Sequence, residues 1–197
     1  MSSAGVRLRQ LDLTLFDSTR YGDAVQRILA LDGDGLRPMP LGGGDAPESA
    51  LRALGETDAG RLFPGSYAAD AAMGGLWLYY SQLEAAHTIV QNVPSQEGSF
   101  WHGIMHRREP DAGNAAYWFR RVGRHACFPA LAEAAAGIVE RCPGVKFVAG
   151  SEWDPFGFID FCEEARRDRG PAAMRAAKEI QLAEWQLLFD FCARPLD

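Results

Sequence analysis

Histidine is the residue type whose placement most directly indicates chemistry in this chain. The sequence contains four histidines, and all of them lie between residues 87 and 125, interleaved with five arginines and with Trp101, Tyr117 and Trp118. Neutral imidazoles bind Zn, Fe, Mn or Ni, and they also act as acid–base groups near neutral pH. We therefore expect any functional site to use this segment, which carries His87, His102, His106 and His125.

The spacing of three of these histidines predicts a metal site across a helical hairpin. His87 precedes a turn at 92–98 by about one helical turn, and His102 follows that turn at a similar distance. In an antiparallel helix pair the two side chains lie at similar height, and His106 lies one turn further along. With a nearby carboxylate they could hold a transition metal whose bound water acts as nucleophile. The candidate ligands are Glu84, His87, His102 and His106.

Other features of the same hairpin favour a simpler interpretation. The segment HGIMH lacks the glutamate of the zincin motif, and one Glu-x-x-His occurs where ferritin-like bundles use two. On a helical wheel His102 and His106 lie opposite Trp101, Ile104 and Met105. This pattern predicts that both histidines face solvent or a groove.

The arginines predict a site for an anion. Residues 101–125 carry five arginines against Glu109 and Asp111, a local balance of +3 in a chain of net charge −6. Guanidinium groups bind carboxylate or phosphate in a bidentate way. The alternative is pairing within the protein, with Glu84, Glu163, Glu164 or Glu184. The expected ligand-binding residues are Tyr80, Arg107, Arg108, Tyr117, Arg120 and Arg121.

Glu184 is an acid in the middle of an apolar helical face. A carboxylate in such a stripe must be ion-paired, metal-bound or protonated, and an arginine or histidine of residues 102–121 is the natural partner. Glu184 and His102 are the candidate catalytic residues, with Glu184 as a general base of raised pKa. The competing role of Glu184, which we favour, is a structural lock between helices.

The elements that position these residues are predicted to be helices. Apolar periodicity and breaker residues indicate a single all-α domain over 1–197, an irregular bundle of about six to eight helices. Residues 1–18 form an extended N-terminal arm, 33–46 form a Gly/Pro-rich loop, and VKFVAG at 145–150 could be a short strand. The predicted helices are 20–31, 47–54, 68–92, 99–108, 112–123, 129–141, 154–168 and 171–193. The longest predicted helix, 68–92, is apolar around most of its surface. The exception is a polar stripe formed by Tyr80, Glu84, His87 and Gln91.

Composition excludes several classes of protein. A net charge of −6 argues against a general nucleic-acid coat. The four cysteines form no CxxC pair, and Cys162 and Cys192 fall in apolar helical patterns where cysteine is a small buried hydrophobe. The start of the sequence lacks the apolar region of a signal peptide, and no run is long enough to span a bilayer. These features predict a reduced, cytoplasmic protein, and they leave self-association open.

Three resemblances accompany these patterns. One histidine combined with a His-x-x-x-His pair resembles the three-His helical site of DinB-like proteins. The segment SFWHGIMHRREPDAGNAAYWFRRVGRH (99–125) resembles uncharacterised bacterial and fungal proteins, which imply no activity. NAAYWFRRVG resembles one helix of a TPR or Sel1-like repeat, but no repeat of fixed period follows.

The sequence thus predicts three kinds of function. The first is binding of a small anionic ligand in a His/Arg pocket of a helical bundle, with or without catalysis. The second is a TPR-like protein-interaction module, and the third is a metal-dependent hydrolase or redox protein. The polar cluster could also be only a hydrogen-bond network that fixes the bundle.

Overall fold

Helices make up the whole regular structure of the described residues. The computed structural model describes residues 16–167 and 170–195, and within them it has ten α-helices and no strand. This confirms the all-α bundle, although most of the predicted N-terminal arm lies outside the described residues. The helices are α1 (Asp23–Ala30), α2 (Glu48–Gly55), α3 (Ala59–Leu62), α4 (Ala69–Tyr79), α5 (Leu83–Val90), α6 (Gln96–Arg108), α7 (Ala112–Val122), α8 (Phe128–Glu140), α9 (Pro155–Arg166) and α10 (Pro171–Ala193).

The prediction of one long helix over 68–92 is wrong, because the chain breaks between α4 and α5. Ser81 takes a left-handed φ of 59°, which ends the α4 ladder. Two arginines satisfy the carbonyls exposed by this break: Arg108 donates to the carbonyl of Leu78, and Arg37 donates to that of Tyr79 at 2.8 Å. Cationic donors at the carboxyl end of a helix also interact favourably with the negative end of its dipole. The break, together with the short unpredicted α3, raises the helix count above six to eight.

Helix α6 is the centre of the fold. Every residue from Glu97 to Arg108 is buried, because α4, α5 and α7 all pack against this helix. Two glycines allow the close approach: a Cβ at Gly75 of α4 would lie 2.7 Å from the Trp101 ring, and one at Gly103 would lie 2.8 Å from Phe119 of α7. A helix buried on all sides can carry polar groups only where they find partners.

Helix α10 forms the second layer and fixes the Gly/Pro-rich loop at 33–46. Trp185 stacks on Phe189 and packs against Tyr79 of α4. Its neighbours Gln181 and Gln186 donate to loop carbonyls at 2.7 and 2.8 Å. The loop is therefore an ordered part of the core surface.

Three smaller predictions can also be compared with the structure. Residues 145–150 form a loop and not the short strand that their pattern allowed, in agreement with the all-α prediction. Among the described residues the four cysteines are free and buried, as expected for Cys162 and Cys192. In the same residues no helix combines the length and the hydropathy that crossing a membrane would require.

Candidate metal centre

The α5–α6 hairpin brings three histidines together. His87 lies in the second half of α5, and His102 and His106 lie one turn apart on α6. Ser95 starts α6 as its N-cap, with its side chain accepting from the backbone NH of Gly98 at 3.2 Å. The short turn before Ser95 makes the two helices antiparallel neighbours, so His87 faces the His102–His106 pair.

The three imidazoles are close enough to act as one group. One nitrogen from each ring lies within 4.8 Å of the others. The ring centroids of His87 lie 4.8 Å from His102 and 5.6 Å from His106, and His102 and His106 are stacked at 5.0 Å. His102 and His106 are only 3% and 9% exposed, whereas His87 is half-buried. The predicted solvent-facing position of His102 and His106 is therefore wrong, because the wheel assumed one buried face and α6 has no exposed one.

His102 is neutral, and both histidines of α6 have an unpartnered ring nitrogen. Burial, followed by the neighbouring His106 and His87, lowers the pKa of His102 to about 4, so this ring carries no charge at neutral pH. The Nδ1 atoms of His102 and His106 are buried without a hydrogen bond in the described structure. A carboxylate oxygen of Glu109 lies 3.0 Å from Nδ1 of His106, out of line for a hydrogen bond but in the position of an outer-shell carboxylate. A neutral, buried imidazole with a free nitrogen, as His102 has, is in the form that binds metal ions.

An aromatic side chain from α7 closes one side of the group. The Trp118 ring stacks on His102 with the centroids 3.8 Å apart and the planes at 13°. Arg121 lies over Trp118, its guanidinium carbon 5.2 Å from the ring centroid, and it also lies over Tyr117. This stack fixes the plane of His102 and excludes water from that side. The sequence analysis named Trp118 among the aromatic residues of this segment but did not predict its contact with His102.

The group fits a metal ion with open coordination positions. Three nitrogens around tetrahedral Zn²⁺ lie about 3.3 Å apart, given Zn–N bonds of about 2.0–2.1 Å. The 4.8 Å limit observed here thus requires a closing movement of at most about 1.5 Å, which side-chain rotation supplies. The fourth candidate ligand, Glu84, is exposed and does not belong to this group. The described residues could supply three ligands here, and the remaining positions would be open to water or substrate.

Arg107, one of the predicted anion-binding arginines, is paired within the protein. Arg107 forms a bidentate pair with Glu184, with both side chains fully buried, and it also donates to Gln181 at 3.3 Å. Its guanidinium lies 4.5 Å from the Phe158 ring centroid. Glu184 is therefore ion-paired with an arginine, one of the states expected for a carboxylate in an apolar helical face. This pairing favours the structural lock over a general base.

The remaining predicted anion-binding residues do not form one pocket. Arg108 donates to the carbonyls of Leu78 and Gly42 and to the Ser81 hydroxyl, and the Tyr80 hydroxyl donates to the Ile28 carbonyl. Tyr117, Arg120 and Arg121 are exposed on α7. The six side chains therefore separate into an interior set and a surface set.

The fourth histidine belongs to a different polar pair. Nδ1 of His125 accepts from the backbone NH of Cys127 at 3.1 Å, and its Nε2 lies 3.7 Å from an oxygen of Glu97. Burial would raise the pKa of Glu97, but His125 and Ser95 more than offset this and lower it below its ordinary value. Sequence reasoning missed Glu97, because a glutamate in the first turn of a helix is ordinarily exposed.

Comparisons of the chain with protein-family models, with curated proteins and with solved structures find no match. The resemblances to an uncharacterised family, to DinB-like sites and to a TPR helix stay predictions. The geometry of the three histidines is therefore the main indication of function in this protein.

Proposed function

We propose that His87, His102 and His106 bind one divalent transition-metal ion and that the protein catalyses a metal-dependent reaction, with hydrolysis favoured. The observation that carries this proposal is the approach of three imidazole nitrogens to within 4.8 Å in a buried part of the hairpin. Three histidines bound in this way leave a coordination position for water. A bound ion would supply a nucleophilic hydroxide near neutral pH and polarise a carbonyl or phosphoryl oxygen.

The surrounding residues have separate tasks in this proposal. Trp118 holds the plane of His102 and keeps water from one side of the site. Glu109 lies next to Nδ1 of His106, where a carboxylate increases the basicity of a ligating imidazole. The half-buried His87 lies on the accessible side, so substrate would approach past this residue.

Metal analysis of protein purified without chelators tests the proposal. We expect about one equivalent of a transition metal per chain, and loss of that metal in His102→Ala and His87→Ala. His125→Gln is the matched control, because His125 is a buried histidine outside the group, and it should retain the metal. Cobalt(II) reconstitution gives a second readout, since visible d–d absorption reports nitrogen ligation directly.

The proposal is wrong if neither the purified nor the reconstituted protein holds metal against dialysis. It is also wrong if His125→Gln loses as much metal as His102→Ala. In either case the histidine group would be a packing feature of the hairpin.

A further inference from the structure

A second concave site lies away from the histidine group. A cavity of about 750 Å³ opens between the end of α7, the start of α8 and residues 151–156. This volume is within the range of small-molecule sites. None of His87, His102 and His106 lines it. Any ligand of this cavity is thus held by other side chains than those of the candidate metal centre.

The walls of the cavity are aromatic. Phe119, Phe128, Trp153 and Phe156 line it, together with two prolines. Phe156 is 40% exposed, which is unusual for a large apolar side chain. Four rings around one space favour a flat apolar ligand, because aromatic faces and edges pack best against another ring.

Two arginines and two acids line the cavity, and Arg120 is the one of the four without a partner in the described residues. The acids are used within the protein: Glu152 pairs with Arg124 at 3.2 Å, and Asp154 accepts from the backbone NH of Phe156 at 2.9 Å. Arg120 also lines the cavity, and no ion pair or hydrogen bond joins its guanidinium to any residue in 16–167 or 170–195. An arginine beside aromatic walls is a site for a carboxylate.

One further feature of the cavity favours a hydrogen-bond acceptor. Nε1 of Trp153 belongs to a lining side chain and is buried without a hydrogen-bond partner in the described structure. An indole nitrogen in this state is rare in native proteins, and a bound acceptor gives it a partner.

We propose that this cavity binds a small carboxylic acid with an aromatic body of one or two rings. The ring lies among Phe119, Phe128, Trp153 and Phe156. The carboxylate lies against Arg120.

Binding of 2-naphthoate to the full chain tests this proposal. Titration calorimetry gives the affinity, and the indole NH signal of Trp153 in a ¹H–¹⁵N spectrum, assigned with Trp153→Phe, gives the location. We expect this indole signal to move. We also expect Arg120→Gln to bind at least about tenfold more weakly, the effect of losing one charged hydrogen bond. The matched control is Arg121→Gln, the next residue on α7, which does not line the cavity and should bind as wild type does.

The neutral analogue 2-naphthylmethanol separates carboxylate recognition from apolar binding. It should bind at least about tenfold more weakly than 2-naphthoate and should be insensitive to Arg120→Gln. The proposal is overturned by equal affinities for acid and alcohol, by equal effects of the two arginine variants, or by an unmoved Trp153 signal. His102→Ala should bind 2-naphthoate normally, so this test and the metal analysis succeed or fail independently.

Discussion

The buried pair of Arg107 and Glu184 gives the sharpest test of how α6 is joined to α10. Replacing Glu184 with leucine leaves the Arg107 charge in the interior with only Gln181 and the Phe158 face as partners. Replacing Arg107 with methionine at the same time removes both charges and fills similar volume.

The structure sets the size of both effects. Glu184 accepts two charged hydrogen bonds from Arg107, and both side chains are fully buried. Breaking such a pair from one side costs about 3–5 kcal/mol, whereas replacing both partners by apolar residues is close to neutral or stabilising. The double variant leaves Gln181 without its arginine donor, which costs about 1–3 kcal/mol. We therefore expect Glu184→Leu to lower the free energy of unfolding by about 4 kcal/mol and the double variant to recover at least half of that.

Urea denaturation at pH 7, read by far-UV circular dichroism, measures both values. For a chain of this size the single variant should also lower the Tm by about 10 °C. Glu184→Gln should leave the proposed metal site intact, since Glu184 touches none of the three histidines. This expectation is contradicted if the single variant loses less than about 1 kcal/mol of unfolding free energy, or if the double variant is no more stable than Glu184→Leu.

Three further results are expected from the same geometry. Zn²⁺ at about a hundred times its Kd should stabilise the protein by about 2.7 kcal/mol and raise its Tm by about 5–10 °C, with no shift in His102→Ala; an equal shift in that variant would point to another site. The folded pKa of Glu97 lies below its ordinary value of 4.5, so its carboxylate stabilises the fold above that pH and this contribution is lost as the pH falls through the folded pKa. Glu97→Gln should therefore lose less unfolding free energy than wild type between pH 6 and pH 3, and an unchanged acid dependence would contradict this. Burial raises the pKa of Cys162 to about 12, so a disulfide reagent such as DTNB should find no reactive thiol until urea unfolds the chain and exposes all four.

Sequence patterns predicted most helices of the fold but not the break in the longest one. Breaker residues and apolar periodicity placed α6 to α10 within a few residues of their observed ends. No proline or glycine lies near the break at Ser81, and the apolar pattern of the helix continues on both sides of it. Its cause is the capping of Leu78 and Tyr79 by Arg108 and Arg37, which are distant in sequence. Such tertiary partners are invisible to a local pattern.

Only part of the candidate site could be predicted from the sequence, because the rest depends on tertiary contacts that a local pattern does not show. The distances of the histidines from the turn correctly predicted that His87 faces His102 and His106. The helix rise per residue and the short turn together fix how far along the hairpin each side chain lies. The wheel then placed His102 and His106 at the surface, because the predicted helix 99–108 was read as having one buried face, whereas residues 97–108 of α6 are all buried. The i, i+3 spacing of His106 and Glu109 would have indicated the outer-shell carboxylate. The Trp118 stack depends on the crossing of α6 and α7, which no local signal sets.

The last turn of α6 places three consecutive side chains in three different environments. His106 faces the other histidines, Arg107 reaches Glu184 on α10, and Arg108 holds the end of α4 and the loop at Gly42. Successive residues on a helix differ by about 100° in direction, so each of these partners lies on its own side of the helix. Inserting or deleting one residue earlier in α6 would rotate all three side chains to the wrong partners at once. Conservative substitutions at 106–108 each disturb one partner, whereas a shift in register disconnects the histidine group, α10 and α4 together, so the length of this helix is under tighter constraint than its composition.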